Sequence, residues 1–171
     1  MQSITAKYII NKLGLKPLHA EGGFYYETYR AADVIKKECL PGRYSSDKSI
    51  STAIYYLLEG NGYSHMHKLP TDEVYHYYYG CNLEMLLLYP DGSGEKLILG
   101  CDFENNAFPQ IVVPANAWHG SRLVDKSSFC LLGTTMSPGF DFLDYIHGDR
   151  VSLTKQYPQF ENEICELTTA G

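Results

Sequence analysis

Apolar and polar positions alternate in short bursts along most of this chain, and residues that favour turns separate the bursts. A period of two is the mark of half-buried β-strands. It predicts strands over Phe24 to Arg30, Ser49 to Leu58, a segment around His65, Val74 to Tyr79 and Glu84 to Tyr89. Further strands are predicted over Lys96 to Leu99, Gln110 to Val113, Trp118 to Val124 and Phe129 to Met136. Gly60-Asn61-Gly62 reads as a hairpin-like turn, and Leu69-Pro70-Thr71-Asp72, Pro90-Asp91-Gly92-Ser93-Gly94 and Asp125-Lys126-Ser127 as further turns. Ala32 to Asp47 lacks periodicity and reads as a surface loop. Helical spacing is confined to the ends. Ser3 to Leu13 has Ser3 as its expected cap and Gly14 as its stop. Phe140 to Ile146 and Val151 to Tyr157 are expected to be short helices, and the tail past Pro158 is expected to be loose. So many short, regularly spaced strands point to an all-β sandwich or barrel, and a jelly roll matches the count.

The chemistry gathers at His65-Met66-His67. Residues i and i+2 of a strand share a face, so both imidazoles should project together. Beyond the Pro70 turn, Glu73 opens the next strand, which is expected to fold back beside the first and add a carboxylate. Two imidazoles and a carboxylate converging on one face look like three ligands of a metal site, the alternative being that His65 or His119 is a hydrogen-bonded cavity histidine. Tyr75 and Tyr77 share the face of Glu73 and would line a pocket, although core packing accounts for each of them singly. His76 falls on the opposite face, and only a bulge would turn it inward to a substrate. Trp118 is expected to form a pocket wall or a dimer contact.

Composition narrows the field. The 171 residues suit one domain, taken as 1–171, with a helix over 3–13, a barrel over about 22–137 and short helices and tail over 140–171. A net charge of −6 without any basic run argues against a nucleic-acid or membrane partner. No apolar run reaches membrane-spanning length, and nothing near Met1 looks like a signal peptide. The five cysteines have no paired spacing, which fits reduced thiols and a cytoplasmic location.

Two motif halves resemble the cupin superfamily. The first runs from Gly60 through His65-Met66-His67 and Glu73 to Gly80; the second is Pro114-Ala115-Asn116-Ala117-Trp118-His119, with Asn116 in the place of glycine. A closer resemblance, to a small single-domain branch of largely unassigned function, is carried by Glu21-Gly22-Gly23-Phe24, Ser51-Thr52-Ala53-Ile54, Asp72-Glu73, Gln110 to Pro114 and Pro138-Gly139-Phe140. The resemblance implies a double-stranded β-helix (jelly-roll) barrel with short flanking helices. It implies His65, His67, Glu73 and His119 as ligands of a divalent transition metal (Mn, Fe, Co, Ni or Zn). It also implies a homodimer and a place for Glu21 at the cavity mouth.

Three functions are open on these residues. The first is a metal-dependent enzyme, an oxygenase or isomerase, acting on a small polar molecule. The second is a metal-independent sugar epimerase or isomerase, in which His67 would abstract a proton from carbon and a tyrosine such as Tyr77 would donate one. His67, Glu73 and Tyr77 are the expected catalytic residues. The third is a binding module without chemistry. Substrate contacts are expected from Tyr75, Trp118, Glu21 and His76, and Arg43, Lys68 and Arg122 are candidates for an anionic group.

Overall fold

Hydrogen-bonded register sorts the predicted strands into two six-stranded sheets that face each other. The computed structural model describes residues 4–169. From the N-terminus the elements are α1 (Ala6–Leu13), β1 (Lys16–Pro17), β2 (Phe24–Arg30), β3 (Val34–Ile35), β4 (Lys48–Ser49), β5 (Thr52–Glu59), β6 (Tyr63–Lys68) and β7 (Glu73–Gly80). There follow β8 (Leu83–Leu88), β9 (Gly94–Leu99), β10 (Ala107–Phe108), β11 (Gln110–Val113), β12 (Trp118–Leu123) and β13 (Phe129–Met136). The chain ends in β14 (Ile146–His147), α2 (Arg150–Gln156) and α3 (Glu161–Glu166). The first sheet has the order β1-β2-β5-β13-β7-β11 and the second β10-β9-β8-β12-β6-β14, with β3 and β4 paired apart.

This arrangement corrects three expectations. The sheets do not close on each other, so the interior is a two-sheet cleft and not a closed barrel. Gly60-Asn61-Gly62 is not a hairpin turn, because it carries the chain from β5 in one sheet to β6 in the other. Likewise β7 does not lie beside β6. It pairs with β13 and β11, so Glu73 meets the β6 histidine from the opposite wall. Facing sheets pack about 10 Å apart, a span that two inward side chains bridge.

The interior is filled at one end and polar at the other. Tyr56, Leu58, Leu83, Met85, Leu87, Ile111, Cys130 and Leu132 belong to one buried cluster between the sheets. Nearer the other end, the inward positions of the same strands change to Thr52 and Ile54 on β5, Thr134 and Met136 on β13 and Glu73 on β7, which border a cavity.

The ends of the chain pack on the outer faces. The expected cap Ser3 lies outside the described residues; Thr5 caps α1, its hydroxyl accepting from Tyr8 N at 3.2 Å. Ile9, Ile10 and Leu13 pack with Leu57, Phe129 and Leu131 of the first sheet. The tail is not loose. Leu153, Tyr157, Ile164 and Leu167 of α2, α3 and their flanks bury themselves against Met66, Leu86 and Leu88 on the back of the second sheet. Phe140 to Ile146 gives only a 3-10 turn, Phe142–Asp144, before β14 pairs with β6.

Candidate metal centre and cavity

β6 carries a bulge where alternation predicted regularity. His67 pairs with His119, but Ser64 pairs with Ser121, so β6 holds one more residue than β12 over that interval. The extra residue reverses the local phase. Ser64 and His67 both face the interior, while His65 sits half-buried among the rings of Tyr63 and His147, with centroids 4.6 and 5.3 Å away. The bulge is held by its partners. His65 N donates to the Glu21 carbonyl at 2.7 Å, and Met66 N donates to the Leu167 carbonyl at 2.9 Å. Opposite it stands Gly120, where a Cβ would meet Met66 Sδ at 2.8 Å. His65 is therefore not among the residues whose ligand atoms come together.

The residues brought together are His67, Glu73 and His119, all buried, with one ligand atom from each lying within 4.8 Å of the others. His67 Nδ1 lies 2.7 Å from the His65 carbonyl oxygen. A carbonyl only accepts, so Nδ1 carries the proton and Nε2 presents its lone pair. Burial, then the neighbouring imidazole of His119, pushes His67 well below the usual histidine range and keeps it neutral. His119 Nε2 stands 3.3 Å from Glu73 Oε2 and 3.1 Å from the Tyr75 hydroxyl. Glu73 Oε2 and His119 Nδ1 are nevertheless buried without a hydrogen-bond partner. Two ligands of one ion at about 2.1 Å, a tetrahedral angle apart, are separated by about 3.4 Å. The 3.3 Å spacing and the unpartnered carboxylate oxygen thus fit a cation.

Glu21 joins from the loop before β2. Its Oε1 accepts from the Ser64 hydroxyl at 2.9 Å, and its Oε2 lies 3.9 Å from His67 Nε2. Burial, and then the charge of Glu73, raises its carboxyl from the ordinary 4.5 to about 8. Tyr145, which sequence reasoning missed, stacks on His67 at 5.0 Å and 21° and donates to the Ala20 carbonyl at 3.1 Å. Its only sequence signal was the nearby Pro138-Gly139-Phe140.

A cavity of about 220 Å³ borders Glu21 and Glu73, walled by Tyr25, Ile54, Leu69, Met136, Phe140 and Phe142. Arg30 at its edge makes two hydrogen bonds to Glu27, at 3.0 and 2.7 Å, and a third to the Phe140 carbonyl at 3.1 Å.

Other expected contacts lie elsewhere. His76 is on the outer face of the first sheet, between Gln110 and Thr135. Tyr77 packs at the filled end, its hydroxyl donating to the Gly80 carbonyl. Trp118 packs with the α2–α3 cluster behind the second sheet, with Lys68 Nζ 4.6 Å above its ring. Arg43 donates to the Pro70 carbonyl, and Arg122 pairs with Glu84 and Glu166. Strict alternation from Glu73 to Tyr77 places His76 outside; the outward turn of Trp118 follows from His119 facing inward beside it.

The site has a pH signature in metal-free protein. Folded Glu21 keeps its proton up to about pH 8, whereas an ordinary carboxyl loses it near 4.5, so stability falls as pH rises through that window. Neutral His67 acts oppositely, and only below the ordinary 6.5, where the unfolded chain gains a proton that the folded one refuses. Between pH 6.5 and 8 the Glu21 contribution stands alone of the two, and urea unfolding should show a loss of about 1–2 kcal/mol. Glu21→Gln should remove that slope. An unchanged slope would show that Glu21 is not the group responsible.

With the geometry established, the chain can be set beside known proteins. Residues 7–147 match the family model described as Cupin superfamily (DUF985). The chain belongs to the cupin superfamily. This cupin is 29% identical over 135 residues to the uncharacterized protein YML079W of Saccharomyces cerevisiae, an alignment covering 74% of the chain and 67% of that protein. It superposes on protein SO0799 of Shewanella oneidensis with a TM-score of 0.87 and 30% identity, covering 100% of both chains. Against oxalate decarboxylase OxdC of Bacillus subtilis the TM-score is 0.52 at 11% identity, over 86% of this chain and 36% of that one, a likeness of fold alone. No described helix is long and apolar enough to cross a membrane.

Proposed function

We propose that this cupin holds one divalent transition metal through His67, Glu73 and His119 and acts on a small molecule seated in the adjoining cavity. The observation that carries the reading is the buried, unpartnered Glu73 oxygen facing the His119 imidazole at the border of that cavity. Among the described residues His119 is the ion partner of Glu73 within 4.0 Å, and a buried carboxylate oxygen without a hydrogen bond is expensive. A bound divalent ion would supply Lewis-acid polarisation or activation of water. The chain's own residues do the rest. His67 is locked in the tautomer that offers Nε2 inward, Tyr75 places a phenol at His119, and Tyr145 shields the His67 ring. The walls of the cavity are mostly apolar, and its one arginine is already paired with Glu27. That favours a compact, uncharged molecule with an oxygen function at one end. The sugar-epimerase reading loses support, because its expected acid, Tyr77, packs at the filled end.

Protein purified without a histidine tag should contain close to one equivalent of metal by elemental analysis, or take it up when metal-free. Glu73→Gln should weaken uptake about 100-fold, because it removes an anionic ligand. Absence of metal both as purified and after titration would sink the proposal.

A further inference from the structure

Once the bulge has turned His65 away, the metal shell is one ligand short of the four that the motif implies. Glu21 stands beside the gap. Its backbone is held by the same contact that removes His65, since the carbonyl of Glu21 accepts the His65 N–H. Its side chain is only 14% exposed, and Ser64 holds Oε1, which leaves Oε2 on the side of His67 Nε2 at 3.9 Å. Gly22 and Gly23 follow with φ of 101° and 66°, a left-handed pair that bends the chain sharply after Glu21. Two largely buried carboxylates thus each face an imidazole, Glu21 toward His67 at 3.9 Å and Glu73 toward His119 at 3.3 Å, and among the described residues neither has a lysine or arginine within 4.0 Å. Like charges gathered out of water are costly unless a cation joins them.

We propose that Glu21, and not His65, is the fourth metal ligand, so that the shell is two imidazoles and two carboxylates. This inference rests on the proposed metal site and deepens it by naming the class of metal. Replacing an imidazole by a carboxylate moves a site away from zinc and copper and toward manganese(II) and iron(II), which accept oxygen ligands readily. The pair of carboxylates also neutralises a divalent charge, and the completed centre then suits the uncharged ligand that the apolar cavity favours.

The test uses the full chain, stripped of metal and titrated with manganese(II), with free Mn(II) followed by electron paramagnetic resonance and binding heat by calorimetry. Glu21→Gln should weaken Mn(II) binding by about tenfold or more, as should Glu73→Gln, while His65→Gln should stay within about twofold of wild type. Ser64→Ala, which removes the hydrogen bond that holds Glu21 but keeps its carboxyl, should give an intermediate loss. Glu21→His, which restores a third imidazole, should raise the preference for zinc(II) over manganese(II). Metal-free Glu21→Gln should melt at or above the wild-type temperature, because one of two facing carboxyls is gone. Metal-free Glu21→Gln melting well below wild type would make Glu21 structural and overturn the proposal. So would a His65→Gln loss matching that of Glu73→Gln beside a normal Glu21→Gln. Wild type that takes up no Mn(II), Fe(II) or Zn(II) ends the metal reading and this inference together; a metal-binding wild type with an indifferent Glu21→Gln ends this inference alone.

Discussion

Gly22→Ala should lower the unfolding free energy by about 3–5 kcal/mol and impair metal uptake at the same time. Two costs combine. The residue sits at φ 101°, where a side chain is strained, and a Cβ there would run into the Tyr63 carbonyl oxygen. That oxygen belongs to the backbone of β6, one residue before the bulge that aims His67, so relief requires moving the bulge. Glu21, the preceding residue, would move too. Gly14→Ala is the control: its φ is 65° with nothing within 4 Å of an added Cβ, so only backbone strain of about 1–2 kcal/mol applies. Denaturant unfolding of both variants measures the difference. Equal losses would show that the contact with Tyr63 is not what constrains Gly22.

Lys48→Ala should cost about 3–5 kcal/mol, because it strips a buried ion pair of its lysine. The Lys48 side chain is 1% exposed and lies 2.7 Å from Asp144 and 3.1 Å from Asp141. The Asp144 side chain is itself only 7% exposed and would lose this partner. The effect should reach the site, since the two aspartates flank Phe142 and stand close to Phe140 and Tyr145, which cover the cavity and His67. Hydrogen exchange should quicken over residues 140–147 more than over β8 or β12. Double replacement of Asp141 and Asp144 by Asn in the Lys48→Met background should recover part of the loss, as buried pairs replaced whole are often neutral. Uniform acceleration across both sheets would indicate general loosening and count against a latch at this segment.

Much of the candidate site could be read from neighbouring residues. His67, Glu73 and His119 stand in motif spacing, and Glu21 was marked by the two glycines after it. His65 misled because period-two reasoning assumes an unbroken strand. The bulge that displaces it depends on Glu21, Leu167 and Gly120, three residues from distant parts of the chain. Tyr77 misled for a related reason. Its face was read well enough, but a strand eight residues long runs from the polar end of the cleft to the filled end, and only the register with β13 tells which residue lies where.

Local pattern was therefore sufficient for the strands themselves: Phe24–Arg30, Gln110–Val113 and Phe129–Met136 begin and end where alternation and turn residues place them. Side-chain period and turn propensity are properties of adjacent residues, so they survive without the rest of the molecule. Which sheet each strand enters is not such a property. Gly60-Asn61-Gly62 has the composition of a hairpin, yet it turns a corner because β5 finds its partners in β2 and β13 and β6 finds its own in β12 and β14. The tail behaves likewise. Leu153, Ile164 and Leu167 lie in stretches too short to hold a helix alone, and they are ordered by the apolar back of β6 and β8 against which they pack. The convergence of Glu73 on His67 and His119 across the cleft belongs to that same tertiary level, since facing walls and bulged registers are set by pairings between residues far apart in the chain.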